Sequence, residues 1–275
     1  MGIWNSRISR VCALSVLLGA AMAPWASGAS PRAARAAASD TIVMAYGSAP
    51  FSIDPAISYD YAGPAIMRTI YEPLVRMQGS SLTNLEGVLA TSWSANAGKT
   101  VWTFHLRHGV VFHDGTPFNA AAVKFSIQRM EAINQAPAYV FAQFVSPNDV
   151  KTPDQYTVQL VLHASAPRLP YALASQYGSF MVSPTAIKAH QVKGDWAQKW
   201  IAAGHDAGSG AYSMGQYVPN QFISFDKFPR YWRGWSGHHV SHVVLQWVNS
   251  DTTRSEMIQR GDADIANYFT PQDMV

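Results

Sequence analysis

The groups in this sequence that could carry chemistry are sparse. His105, His108 and His113 fall within nine residues, and His238, His239 and His242 within five. Imidazoles grouped in this way are the usual starting material of a zinc or other transition-metal site. On a strand, however, His105 and His108 point to opposite faces, so joint ligation by the first group needs a distortion. The second group sits in a Gly/Ser/His-rich stretch that reads as a solvated loop. Asp262 and Asp264 flank a helix end and a strand start, where surface solvation accounts for carboxylates better than acid–base pairing does. Gly208-Ser209-Gly210 looks like a piece of a phosphate-binding loop, but no Lys follows it, and a tight turn is the simpler reading. The sequence has no Gly-x-Ser-x-Gly elbow, no His-Glu-x-x-His and no Gly-x-x-x-x-Gly-Lys. A secreted hydrolase is therefore the minor reading.

The aromatic residues are more suggestive. Tyr59 and Tyr61 flank Asp60 in a segment already broken by Pro50 and Pro55, and Tyr139, Phe141 and Phe144 crowd a second irregular stretch. Rings that are apolar on their faces and polar at one tip are the usual lining of a ligand cleft when they sit on loops. Core packing explains the same residues, and spacing alone leaves both readings open.

These groups must be positioned by an alternation of strands and helices. Thr41–Tyr46 reads as a strand, and a helical segment follows from about Gly63 to Met77. Trp102, Phe104 and Leu106 alternate with Thr103, His105 and Arg107, the period-two pattern of a half-buried strand. His113-Asp114-Gly115-Thr116-Pro117 is a run of turn formers. Asn119 then predicts the cap of a helix with Val123, Ile127 and Met130 on one face. A strand at Tyr156–Leu162, a helix near Pro184–His190 and strands near Phe222–Lys227 and His242–Val248 come next. Asp251 is placed to cap a helix that runs to Arg260, with Gly261 to end it, and Ala263-Asp264-Ile265 predicts a further strand. Thr270-Pro271 resembles the start of another helix that the last four residues are too few to complete. The chain is α/β, without an internal repeat.

The N-terminus predicts export. Arg7 and Arg10 precede an apolar run from Val11 to Ala23, followed by small residues, which is the form of a secretory signal peptide. The run is shorter than the ~20 residues a membrane span needs. Cleavage is expected at Ser27-Gly28-Ala29, Ala34-Arg35-Ala36 or Ala36-Ala37-Ala38, giving a mature N-terminus between about Ser30 and Asp40. Cys12, the one cysteine, lies inside this segment beside Arg10, where a lipid-attachment signal needs a small or apolar residue. A soluble periplasmic protein without thiols or disulfides is expected, stabilised by burial. Loss of four arginines turns 20 basic groups into 16 against 17 acidic ones, so the formal +3 becomes −1. That balance offers no electrostatic footprint for nucleic acid.

The central segments carry a resemblance. Glu86-Gly87-Val88-Leu89-Ala90-Thr91-Ser92-Trp93, Val101-Trp102-Thr103-Phe104-His105-Leu106-Arg107 and Phe112-His113-Asp114-Gly115-Thr116-Pro117-Phe118-Asn119-Ala120 resemble family 5 extracellular solute-binding proteins. So do Ile53-Asp54-Pro55, Ile70-Tyr71-Glu72-Pro73-Leu74, Gly208-Ser209-Gly210-Ala211-Tyr212, Pro229-Arg230-Tyr231-Trp232 and Gly261-Asp262-Ala263-Asp264-Ile265, in the same order. Two departures are local: Ala122 stands where the family usually has Asp, and Gly-Ser-Gly-Ala-Tyr replaces Gly-Thr-Gly-Pro-Tyr.

The resemblance implies a type II periplasmic-binding-protein-like fold in which two lobes close on a ligand. The expected division is 1–38 signal peptide and Ala-rich junction, 39–85 first part of lobe one, 86–200 inserted subdomain, 201–265 lobe one continued, and 266–275 start of a second lobe that is otherwise missing. It implies a monomeric receptor without cofactor that hands a peptide or similar small solute to an ABC permease and ATPase at the inner membrane. The alternative ligand is a nickel chelate, haem or saccharide. By position after Asp54-Pro55, Tyr59, Asp60 and Tyr61 match the segment that edges the cleft, and Tyr139 and Gln176 fall near further cleft segments.

Overall fold

Thr41–Tyr46 (β1) and His242–Trp247 (β10) lie about two hundred residues apart in the chain yet pair in parallel, from Thr41 opposite His242 to Tyr46 opposite Trp247. The computed structural model describes residues 40–267. Antiparallel to β10 runs Phe222–Lys227 (β9), followed by Tyr212–Val218 (β8). Ile265–Ala266 (β11) pairs in parallel on the other side of β1, giving the order β11-β1-β10-β9-β8. Ile223, Phe225 and Leu245 turn one face of this mixed sheet into a core with Ile66, Met67 and Ile70 of helix α1 (Gly63–Ile70).

A second sheet, entirely antiparallel, is built from Ala90–Ala95 (β4), Val101–Leu106 (β5), Val150–Asp154 (β6) and Thr157–Val161 (β7), in the order β4-β5-β7-β6. The alternation expected for residues 101–107 holds: Trp102, Phe104 and Leu106 are buried and His105 is exposed. Helix α2 (Ala120–Ile133) covers this sheet. Asn119 caps it, its side-chain oxygen accepting from the Ala122 N–H at 3.2 Å, and Asn134 ends it in the left-handed region at φ 51°. Phe104, Phe112 and Phe118 are fully buried in this second core. Burial of such a ring contributes on the order of 1.5–3 kcal/mol. The two cores do not follow the chain order: Leu74 and Val75 join the second, while Phe125 and Ile187 join the first.

Three local readings change. The helix expected to reach Met77 stops at Ile70, and Tyr71 is extended at φ −115°, ψ 158°. Pro73 brings no N–H and disfavours a helical residue before it, so the chain turns into a short strand, Val75–Met77 (β2), paired with Leu85–Gly87 (β3). Ser250 rather than Asp251 caps helix α7 (Asp251–Arg260), its hydroxyl accepting from Thr253 N–H at 3.2 Å. Asp251 instead pairs with the buried Arg254 at 2.5 Å. The strand predicted at residues 263–265 begins at Ile265. Two shorter helices matter below, Tyr139–Ala142 (α3) and Leu169–Leu173 (α4), and beyond them lie Pro184–His190 (α5) and Gln198–Ala202 (α6). The proposed signal peptide and cleavage sites, and the helix start at Thr270-Pro271, lie outside the described residues.

Candidate functional site

The segment that leaves β1 cannot continue as a strand past two prolines, and two aspartates shape it instead. Asp54 is 2% exposed, and its carboxylate meets Arg129 of α2 in a two-point ion pair, at 2.8 Å to Nη1 and 2.5 Å to Nη2. Arg129 Nε donates to the Trp196 carbonyl at 3.0 Å, so the guanidinium fixes three stretches of chain together. Six residues on, Asp60 Oδ1 accepts from the N–H groups of Ala62 and Gly63 at 2.8 and 2.7 Å, closing the turn that leads into α1, and Oδ2 accepts from Phe51 N–H at 3.0 Å. The Asp60 carboxylate is thus engaged with backbone, and it presents its two neighbours outward.

Tyr59 and Tyr139, separated by 80 positions in the chain, share a short hydroxyl–hydroxyl hydrogen bond, and their rings meet edge-on with centroids 5.7 Å apart. Tyr177 packs on Tyr59 with centroids at 4.3 Å, donates to the Asp60 carbonyl at 3.4 Å and accepts from Gln176 Nε2 at 2.9 Å. The structure therefore brings Tyr59, Asp60, Tyr139 and Gln176 into one patch. Tyr61 stands apart from these hydrogen bonds at 85% exposure. The hydrogen bond shared with Tyr59 raises the Tyr139 phenol above its ordinary pKa.

Tyr177 joins the four without having been singled out in the sequence. What delivers it is Gly178, at φ +75°, where an added Cβ would lie 2.9 Å from Pro137 Cβ and 3.0 Å from Met130 Sδ. A glycine between an aromatic and a second bulky stretch, with a proline shortly before Tyr139, was the available signal. The patch contains hydrogen-bonding tips and flat apolar faces on a well-supported rim. Such groups can hold a ligand's main chain and side chains by hydrogen bonds and contact.

The titratable groups considered for catalysis or metal binding disperse. His105 is exposed on β5, and His108 stacks on Tyr156 at 3.8 Å. His239 bonds the Ser236 carbonyl and His242 pairs with Asp226 at 2.7 Å. Among the described residues no three His, Cys, Asp or Glu side chains converge on a metal-sized site. Glu72 is buried and accepts from Trp232 Nε1, Ser209 Oγ and the Tyr231 hydroxyl, at 2.9, 2.9 and 3.1 Å. Burial raises its pKa, and those three donors partly offset the shift.

His113 is paired with Asp206 at 2.5 Å, both side chains being almost wholly buried. Its other nitrogen faces the Gly210 carbonyl at 3.0 Å. Both ring nitrogens thus meet acceptors, and the imidazolium is the form that satisfies them. Burial by itself lowers this histidine's pKa, but the hydrogen bond and charge of Asp206, with help from Gly210 and Glu72, outweigh it and hold the pKa above its ordinary value. Stability from a raised pKa is complete below the unfolded-state value of about 6.5 and is lost as pH climbs through the folded value. Unfolding titrations upward from about pH 6.5 are expected to show a fall in stability that His113→Gln flattens. An unchanged slope in the variant would assign the pH dependence elsewhere.

Comparison with known proteins places the chain. The sequence pattern of the bacterial extracellular solute-binding proteins, family 5 (middle region), matches residues 84–274. The chain belongs to that family. It is 31% identical over 242 residues to the probable D,D-dipeptide-binding periplasmic protein DdpA of Escherichia coli, an alignment covering 86% of this chain and 45% of that protein. It is 28% identical over 230 residues to the glutathione-binding protein GsiB of Shigella flexneri, covering 83% and 42%. The chain spans somewhat less than half the length of these relatives. Among solved structures, the periplasmic binding protein DppA of Helicobacter pylori in complex with the peptide STSA superposes with a TM-score of 0.72 at 21% identity, covering 85% of this chain and 47% of that one. A dipeptide-binding protein of Pseudoalteromonas in complex with Met-Leu gives 0.74 at 19%, covering 85% and 48%. The fold is accordingly periplasmic-binding-protein-like, of family 5, over the part of those proteins that this chain covers.

Proposed function

We propose that this chain is the ligand-receiving part of a periplasmic receptor that captures short peptides for an ABC importer. The observation that carries the reading is the tyrosine patch: four of the five residues expected at the cleft come from three separate stretches of chain and meet on one rim. Relatives whose names specify D,D-dipeptides and glutathione support peptides over nickel chelates, haem or saccharides. Catalysis has no place in this reading, because the buried acids and the buried histidine spend their polar atoms on internal partners. The same proposal includes export by the N-terminal segment, action as a monomer, and a division near residues 85 and 200 into a sheet-bearing part and an inserted subdomain. Support for that division is the separate four-stranded sheet. A receptor of this kind works by population shift: ligand held between two bodies favours the closed form, which the permease reads.

Tyr61 gives the sharpest test, since its exposure leaves it little structural work. Tyr61→Ala is expected to weaken peptide binding by about 1–3 kcal/mol, the range for an aromatic anchor that becomes desolvated. Its unfolding midpoint without ligand should stay where it was. Calorimetry with D-alanyl-D-alanine and glutathione, alongside thermal melts, reads both quantities. Intact affinity with a large loss of stability would return Tyr61 to a packing role.

A further inference from the structure

Between the β2–β3 hairpin and α4 lies an open groove of about 490 Å³ that shares no lining residue with the tyrosine patch. That volume is within the usual range of small-molecule sites. Aromatic rings make up much of its wall. Trp93 pairs with Phe104 and Ala95 with Trp102 in the β4–β5 ladder, so the two indoles stand on one face of the sheet. Tyr171 of α4 adds a third ring, flanked by Pro167 and Pro170. Tyr171 is 45% exposed, yet its hydroxyl donates to the Thr83 carbonyl at 2.9 Å. This bond ties α4 to the hairpin and fixes a ring that still has much of its surface in water. Trp102 is fixed in the same way, its Nε1 donating to the Ala166 carbonyl at 3.1 Å. Rings held in place before a ligand arrives bind it at a lower ordering cost.

The polar part of the groove consists of amides. Among the described residues the Gln78 side chain has no hydrogen-bond partner, and Asn84 engages only its Oδ1, with Thr83 Oγ1 at 3.5 Å. No charged side chain lines the groove, and Lys99, 5.8 Å from the Trp102 ring centroid, lies outside the lining. A charged ligand seated here would lose water and find no partner.

We propose that this groove is a second binding site, separate from the peptide site, and that it takes a neutral saccharide. The C–H faces of a sugar ring lie on flat aromatic faces. Its hydroxyls both donate and accept, as the amides of Gln78 and Asn84 do. A proline-rich segment would also lie on these rings, but its carbonyls need donors, and the Tyr171 hydroxyl and Trp102 Nε1 are already spent. The site is independent of what the cleft takes.

The test is a titration of the chain with cellotriose, maltotriose and triacetylchitotriose, followed by NMR shifts and calorimetry, with and without D-alanyl-D-alanine. At least one trisaccharide is expected to bind with a dissociation constant below about 1 mM, unchanged by the dipeptide. Tyr171→Ala should weaken that sugar by about fivefold or more, and Asn84→Ala by about threefold. Thermal melts check that each variant folds, and Asn84, exposed on the hairpin, carries the test should Tyr171→Ala unfold. Binding of none of the three sugars below about 1 mM would overturn the proposal. So would a sugar that the dipeptide displaces and that both variants bind unchanged, since that sugar occupies the cleft. A proline decapeptide that binds at Tyr171 in place of the sugars would overturn it as well. Sugar binding without any dipeptide binding would remove the peptide reading and leave this site standing.

Discussion

Replacing Arg129 by methionine is expected to lower the unfolding free energy by about 3–5 kcal/mol. The substitution leaves the Asp54 carboxylate at 2% exposure without its two guanidinium hydrogen bonds. An unpaired charge at that depth is far from water and keeps, among the described residues, only the Ala56 N–H, at 2.9 Å, as a hydrogen-bond donor. The large cost is that of breaking the pair, which differs from the net worth of having it. Asp54→Asn combined with Arg129→Met should therefore recover a good part of the loss. The consequence reaches the proposed site, because Asp54 fixes the loop that carries Tyr59. Urea unfolding of the single and double variants measures the effect. A loss under ~1 kcal/mol in the single variant would mean that the pair is reached by solvent and does not clamp this loop.

Gly208→Ala is expected to cost about 1–3 kcal/mol or more. A Cβ there would stand 2.0 Å from the Ile70 carbonyl oxygen and 2.8 Å from its carbon, and backbone cannot swing away as a side-chain end can. Gly210 meets the same obstacle, 2.5 Å from the Thr69 oxygen, and its N–H donates to Ile70 at 2.7 Å. The Gly-Ser-Gly run is thus the place where the chain entering β8 passes against the C-terminal carbonyls of α1. That contact also places Ser209 at Glu72 and the Gly210 carbonyl at His113. Gly98→Ala is the control, since its Cβ would meet nothing nearer than Thr100 Oγ1 at 3.7 Å. Its effect should lie within about 0.5 kcal/mol, as for ordinary surface changes. Similar melting temperatures for the two variants would show that the backbone crossing relaxes freely.

Local pattern carried a good deal of this architecture. The alternation of Trp102, Phe104 and Leu106, the Asn119 cap and the Gly261 stop, at φ +76°, are each decided by neighbours within a few residues. The end of α1 was decided locally too, by Pro73, but the stretch from Leu74 to Met77, apolar except for Arg76, fits a helix as well as a short strand. Only its pairing with Leu85–Gly87 separates them. Long-range pairing is where the pattern gave no purchase. Nothing in Thr41–Tyr46 names His242–Trp247 as its parallel neighbour, and nothing in Asp54 or Arg129 alone announces a pair 75 residues apart. The patch shows the same division. Tyr59, Asp60 and Tyr61 were legible as a broken aromatic segment and Tyr139 as part of a second one, and family position added Gln176. Tyr177 follows from how the turn at Gly178 packs against Pro137 and against Met130 of α2.

The central claim is that the protein binds a short peptide and releases it unchanged. Native mass spectrometry of the protein purified from its own host, followed by denaturation and identification of what is released, addresses it most directly. The expected result is one peptide-sized ligand per chain, recovered intact, and intact again after incubation of the protein with a peptide panel. A nickel chelate, haem or saccharide in its place, or a peptide recovered as hydrolysis products, would contradict the account.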